Sequence, residues 1–221
     1  MTNKVIVVVG AGPGLGMAVA RKFGKAGYDV GMVARNEAKL AALGETLQAE
    51  GITTGWATAD VSDSAELAAA VERLAGHTSR VDTLHFNVSI LREVPAAELT
   101  ADQLLADLAA GTAALLTALH AARPHMSAGS VVLATGGGTA DRPWAEVGSL
   151  GVQKAALRNL VTAVDAGLKP DGIRAACLTV QGTLAEGTPF APERVADAFL
   201  ELANRAGLAG DDWRPDVSFR G

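Results

Sequence analysis

The chain has 221 residues, a formal charge of −5 and an apolar share of 49%. That size suits one domain, residues 1–221, with a sizeable core, and the acidic balance without any Lys/Arg run excludes the electrostatic footprint of a nucleic-acid or acidic-membrane binder, so a small molecule is the expected partner. The lone cysteine, Cys177, cannot close an internal disulfide, and Val5 to Val9 is too short to cross a bilayer, so a cytoplasmic protein with a structural thiol is expected.

Short β-branched runs alternate with Ala/Leu-rich segments at helical period, the signature of βαβ units on a parallel sheet. The first predicted strand, Lys4–Val9, runs into Gly10-Ala11-Gly12-Pro13-Gly14-Leu15-Gly16 and then into a predicted helix over Leu15–Lys25. Glycines here let the backbone turn tightly and approach a pyrophosphate, whose charge is met by the free N–H groups of the helix start. Gly10, Gly14 and Gly16 fit G-x-x-x-G-x-G, whereas G-x-G-x-x-G counted from Gly10 fails at Leu15. This turn resembles that of the short-chain dehydrogenase/reductase (SDR) superfamily. The resemblance implies an α/β fold, a Rossmann-type doubly wound and mainly parallel seven-stranded sheet with helices on both faces. It also sets Gly10, Gly12, Pro13, Gly14, Leu15 and Gly16 against a dinucleotide.

The second strand, 29–34, ends in Ala34-Arg35-Asn36 with no acid in reach of a ribose 2′-hydroxyl. Arg35 offers a planar, bidentate donor to a 2′-phosphate, which favours NADP(H) over NAD(H) and places Arg35 and Asn36 at the adenosine ribose; the other reading of Arg35 is a solvated strand end. Asn36 and Asp63 are N-cap residues for helices predicted at 38–49 and 64–74. After the third strand, 53–58, Asp60-Val61 resembles the SDR pair that contacts adenine. The fourth strand, Thr83–Phe86, lies within a segment resembling D-x-L-V-N-N-A-G-I that keeps one asparagine, Asn87, while His85 reads as a core histidine.

One helix is expected over 101–122, with an apolar face of Leu108, Leu115, Leu116 and Leu119, followed by a strand at 130–135. A helix at 148–166, a strand at 173–179, a helix at Pro192–Ala206 and a last strand at Asp216–Phe219 complete the alternation. Gly182 and Leu184 stand where SDRs carry P-G-x-V beside the nicotinamide, with Gln181 for the proline. The connection 186–191 is short, which implies an open pocket.

The family resemblance implies a Tyr acid/base, a Lys four residues on that tunes it and holds the nicotinamide ribose, a carbonyl-orienting Ser and a relay Asn. Residues 148–157 align with the Y-x-x-x-K-A-A-L helix with Lys154 in register, but Leu150 occupies the Tyr position, and the sole tyrosine is Tyr28. The Ser position falls on Gly137, or on Gly136 with a one-residue slip, and the Asn position on Gly111. Lys154 and Thr135 are therefore the catalytic candidates, with Thr139 the other nearby hydroxyl. Asp141, Arg142, Trp144 and Glu186 fall in carboxyl-end loops where such folds bind ligands. His120 and His125 have no metal-ligand spacing, and no metal is expected.

The expected function is an NADP(H)-binding, SDR-like oxidoreductase with an atypical proton source, acting on a small carbonyl or alcohol. The alternative is a non-redox relative: a cyclase, isomerase or dehydratase, or a dinucleotide-binding sensor or partner subunit. A homodimer or homotetramer through the surfaces of 109–122 and 155–166 is implied by the same resemblance, and no membrane association is expected.

Overall fold

A computed structural model describes residues 3–207 and 212–221. Seven strands, β1 (Lys4–Val9), β2 (Tyr28–Ala34), β3 (Thr54–Thr58), β4 (Thr83–Phe86), β5 (Val131–Gly137), β6 (Arg174–Val180) and β7 (Asp216–Phe219), form one sheet. Their order is β3-β2-β1-β4-β5-β6-β7, and every pairing is parallel. The order reverses between β1 and β4, so the carboxyl ends of those strands open the crevice in which such folds take ligands.

Helices α1 (Leu15–Lys25), α2 (Glu37–Ala49) and α7 (Pro192–Ala206) cover one face. Helices α3 (Ser64–Thr78), α5 (Ala114–Ala122) and α6 (Gly148–Leu168) cover the other. Period-two alternation along β1 explains the two cores: Ile6 and Val8 join the first cluster and Val7 and Val9 the second, all fully buried. Each such side chain contributes about 1.5–3 kcal/mol by leaving water. Burial on both faces makes the strand read as an unbroken apolar run.

The caps follow the residues. Asn36 accepts from the Lys39 N–H at the start of α2, and Asp63 accepts from Ala65 and Glu66 N–H at the start of α3. Thr100 and Gln103 close a capping box on α4 (Ala101–Leu108), a T-x-x-Q signal present in the sequence.

The continuous helix expected over 101–122 is instead broken. A π-helical turn, Ala109–Ala113, separates α4 from α5. Gly111 sits in that turn, and a side chain there would collide with the Gln153 carboxamide packed against it, so the extra residue of the wider turn lets the chain pass a polar group from α6. By length and composition Ala101–His125 is apolar enough to cross a membrane, and half of its apolar window is buried within the fold.

Candidate functional site

The turn after β1 is built on two close approaches. Gly10 has φ +87°, and a Cβ there would lie 2.8 Å from the Asn87 carbonyl oxygen; one on Gly16 would lie 3.0 Å from Ala11 Cα. At Gly12 and Gly14, by contrast, a Cβ meets nothing within 4 Å. Gly14 is the N-cap of α1 and offers no side chain, so the first N–H groups of the helix face a cradle of bare backbone, the arrangement an anionic pyrophosphate requires. Leu15 sends its side chain into the core at 5% exposure and can contribute only backbone, while Pro13 is exposed at the rim.

One cleft beside this turn is lined by Gly10, Ala11, Arg35, Val61, Asn87, Val88 and Ser89, which brings together residues from four parts of the sequence. Arg35 also lines the adjoining cavity with Asp60. Ser62 holds Asp60 through its hydroxyl and its N–H, and these bonds, with the Arg35 charge behind them, keep the carboxyl below its ordinary range. Asn36 caps α2 as expected, but it does not line either of these cavities, where the ribose contact is also expected.

The second cleft, of about 600 Å³, runs past the carboxyl ends of β5 and β6. Thr135, Gly137, Thr139, Arg142, Trp144, Leu150, Lys154, Gly182 and Leu184 all line it. Gly182 is required for packing as well, since a side chain there would run into the Phe190 ring. Glu186 is not among the lining residues, and Tyr28 begins β2, at the opposite, amino-terminal edge of the sheet.

Lys154, only 4% exposed, donates to the backbone carbonyls of Val88 and Thr135, each at 3.0 Å. Burial pushes its ammonium down from 10.5 to about 8. Those bonds use two of its three N–H groups and leave one for the cleft.

Thr135 plays a different part from the expected one. Its hydroxyl donates to Asn87 Oδ1 at 2.8 Å and meets His85 Nε2 at 3.1 Å, while Asn87 Nδ2 donates to the Gly10 carbonyl. With the hydroxyl proton given to Asn87, His85 must carry its proton on Nε2; burial holds its pKa at about 3, so the ring is neutral. The candidate catalytic hydroxyl at 135 is thus committed to the sheet, and Thr135 serves the cleft through its carbonyl. The hydroxyls of Thr139, Ser89 and Thr183 also line the cleft, and none of them makes a hydrogen bond among the described residues.

The two alignments of the missing serine are also resolved. A Cβ on Gly136 would stand 2.8 Å from both Cys177 Sγ and Thr179 Oγ1, whereas one on Gly137 would stand 3.6 Å from Lys154 Cγ and 3.7 Å from Thr139 Oγ1. Only position 137 has room for a side chain facing Lys154. Cys177 itself is buried, and burial raises its thiol to about 11, so it stays protonated.

A polar network that spacing did not reveal supports Lys154 from behind. Gln153 exchanges two bonds with the Ile90 peptide, accepting from its N–H at 3.2 Å and donating to its carbonyl at 3.0 Å, and also donates to Ser149. Ser149 donates to Asp107, which is gripped bidentately by Arg92. The Gln153 carboxamide occupies the space beside Gly111.

The family model for short chain dehydrogenases matches residues 4–194. An oxidoreductase of Sarocladium schorii, asL5, is 28% identical over 212 residues, covering 91% of this chain and 80% of that protein. A dehydrogenase/reductase from Sinorhizobium meliloti 1021 superposes with a TM-score of 0.88 at 21% identity, covering 99% of this chain and 94% of the other. An NADPH-bound short chain oxidoreductase from Pseudomonas aeruginosa PAO1, described as containing an atypical catalytic center, superposes with a TM-score of 0.87 at 21% identity, covering 98% and 96% of the two chains.

Proposed function

The chain belongs to the short chain dehydrogenase family, and from that premise we propose that it is an NADP(H)-dependent oxidoreductase acting on a small carbonyl or alcohol. The observation that carries this reading is the run of two clefts along the switch-point edge, with Arg35 at one end and Lys154 at the other. Gly10, Gly12, Gly14 and Gly16 form the phosphate turn, Asp60 and Val61 flank the base, Asn87 holds the turn in place, and Lys154 with Gly182 and Leu184 borders the nicotinamide end. The dinucleotide supplies the hydride. Lys154 presents its remaining N–H to the ribose or the substrate oxygen, and Thr139 is the hydroxyl nearest the gap left at Gly137. NADPH bound to the Pseudomonas aeruginosa relative with an atypical center supports the same reading.

The test is titration of NADPH and NADH into the wild type and Arg35→Ala. A charge-assisted pair to the 2′-phosphate contributes about 1.5–3 kcal/mol, so NADPH binds at least about ten-fold more tightly than NADH, and the variant loses that preference. Equal affinities in the wild type would defeat the assignment.

A second reading is favoured by one specific observation, the replacement of both the proton donor and the carbonyl-orienting serine by Leu150 and Gly137. A non-redox relative is then expected, and single-turnover cofactor absorbance with a carbonyl panel separates the two: no change with any member supports it. We further assign the protein to the cytoplasm as a homodimer or homotetramer. Exposed Leu105 on α4 and Val152 on α6, at 63% and 44% exposure, support the assembly.

A further inference from the structure

Among the described residues, the charged ones lining the larger cleft are Arg142 and Lys154, and no carboxylate lines it. Lys154 lies at its floor with two protons already given to carbonyls. The Arg142 side chain is exposed and makes no hydrogen bond or ion pair among the described residues, while its backbone N–H donates to the Gly138 carbonyl. The carboxylate of the adjacent Asp141 is bonded to other groups, one oxygen accepting from Arg158 at 2.8 Å and the other from Gln181 at 3.0 Å, and the Arg142 charge acts on it only as the smallest of the influences that lower its pKa. Between the two cations the wall is apolar. Pro143, Leu150 and Leu184 contribute to it, and Trp144 lies 52% exposed, an unusual fraction for the largest apolar side chain.

Resting on the oxidoreductase reading, we propose that the substrate is a carbonyl or alcohol that also carries an anionic group, most simply a keto acid with an apolar or aromatic span: Arg142 binds the carboxylate, Trp144 and Leu184 cover the span, and the reacting carbon faces Lys154. A planar guanidinium is built for a carboxylate and makes two parallel hydrogen bonds to it. An ester of the same acid keeps the apolar area and loses the charge, so the pair isolates the contribution of Arg142. The pyrophosphate is accounted for elsewhere, by the bare backbone of the glycine turn at the start of α1, which leaves Arg142 to the substrate.

The experiment is calorimetric titration of benzoylformate, benzoylpropionate and their methyl esters into the NADP+-bound protein, for the wild type, Arg142→Gln and Arg142→Lys. At least one acid binds the wild type about ten-fold or more tightly than its ester, the ratio expected of a charge-assisted pair. In Arg142→Gln that ratio falls to within about two-fold, and Arg142→Lys, which keeps the charge and loses the fork, lies between. An ester bound as tightly as its acid by the wild type overturns the proposal, as does an acid preference that survives in Arg142→Gln. So does a loss of NADP+ affinity in Arg142→Gln that matches the loss of acid, since Arg142 then serves the cofactor. If the wild type binds no NADP+, the oxidoreductase reading fails instead, and the acid-to-ester ratio on the unliganded protein decides the role of Arg142 by itself.

Discussion

Leu150 lies one helical turn before Lys154 on the wall of the larger cleft, and it does most to limit the chemistry available there. A phenol at that position would be tuned by the Lys154 ammonium; an isobutyl group offers no proton. General acid catalysis contributes about 10²–10⁴-fold, and loss of the orienting hydroxyl at Gly137 removes more. The unmodified protein is therefore expected to bind its dinucleotide and to turn over simple ketones poorly. Position 137 has room for a hydroxymethyl group beside Lys154, whereas Gly136 is walled in by Cys177 and Thr179. Combining Leu150→Tyr with Gly137→Ser should raise single-turnover reduction of a simple ketone by about 10²-fold, because the lysine that tunes the phenol is in place. Brisk NADPH oxidation by the unmodified chain with the same ketone would show that another group donates the proton.

At the scale of elements, the π-helical turn between α4 and α5, the segment after β4 and the start of α6 form one device joined by the Gln153 carboxamide. Gln153 stands on α6 beside Lys154 and holds both polar groups of the Ile90 peptide, so the loop carrying the Val88 carbonyl keeps its distance from the Lys154 ammonium. Gln153→Met leaves those groups unpaired and should cost about 1–3 kcal/mol in urea denaturation. Gly111→Asn alone should also destabilise, because its side chain enters the space Gln153 fills. If one amide substitutes for the other, the double variant Gly111→Asn/Gln153→Ala is more stable than the sum of the single losses by about 1 kcal/mol, the coupling expected of residues in contact. Strictly additive losses would mean that the two positions do not share a function.

For the whole molecule, Leu105 and Val152 lie on α4 and α6, and these helices pack against each other on one side of the sheet. Closed two-fold contacts are the common way to cover such a surface. Light scattering at micromolar concentration should therefore give at least a dimer, and Leu105→Glu with Val152→Glu should shift it toward single chains; a wild-type particle with the mass of one chain excludes the assembly. Much of this architecture was legible from the sequence alone. The strands Lys4–Val9, Thr83–Phe86 and Asp216–Phe219 and the helices Leu15–Lys25 and Pro192–Ala206 stand where period and composition put them, because alternation, caps and glycine sterics act over a few residues. The glycine turn follows from the same short-range rules, and the parallel sheet is expected from the strand–helix alternation together with the family resemblance of that turn. What tertiary structure alone decided depends on residues far apart in the chain. Ile90 and Gln153 are separated by 63 positions, and Asn87 and Thr135 by 48. Spacing carries no trace of such meetings, so only packing reveals that the helix at 101–122 must widen around Gln153, that the Thr135 hydroxyl is given to Asn87, and that Asp141 turns to Arg158 and leaves Arg142 facing the cleft.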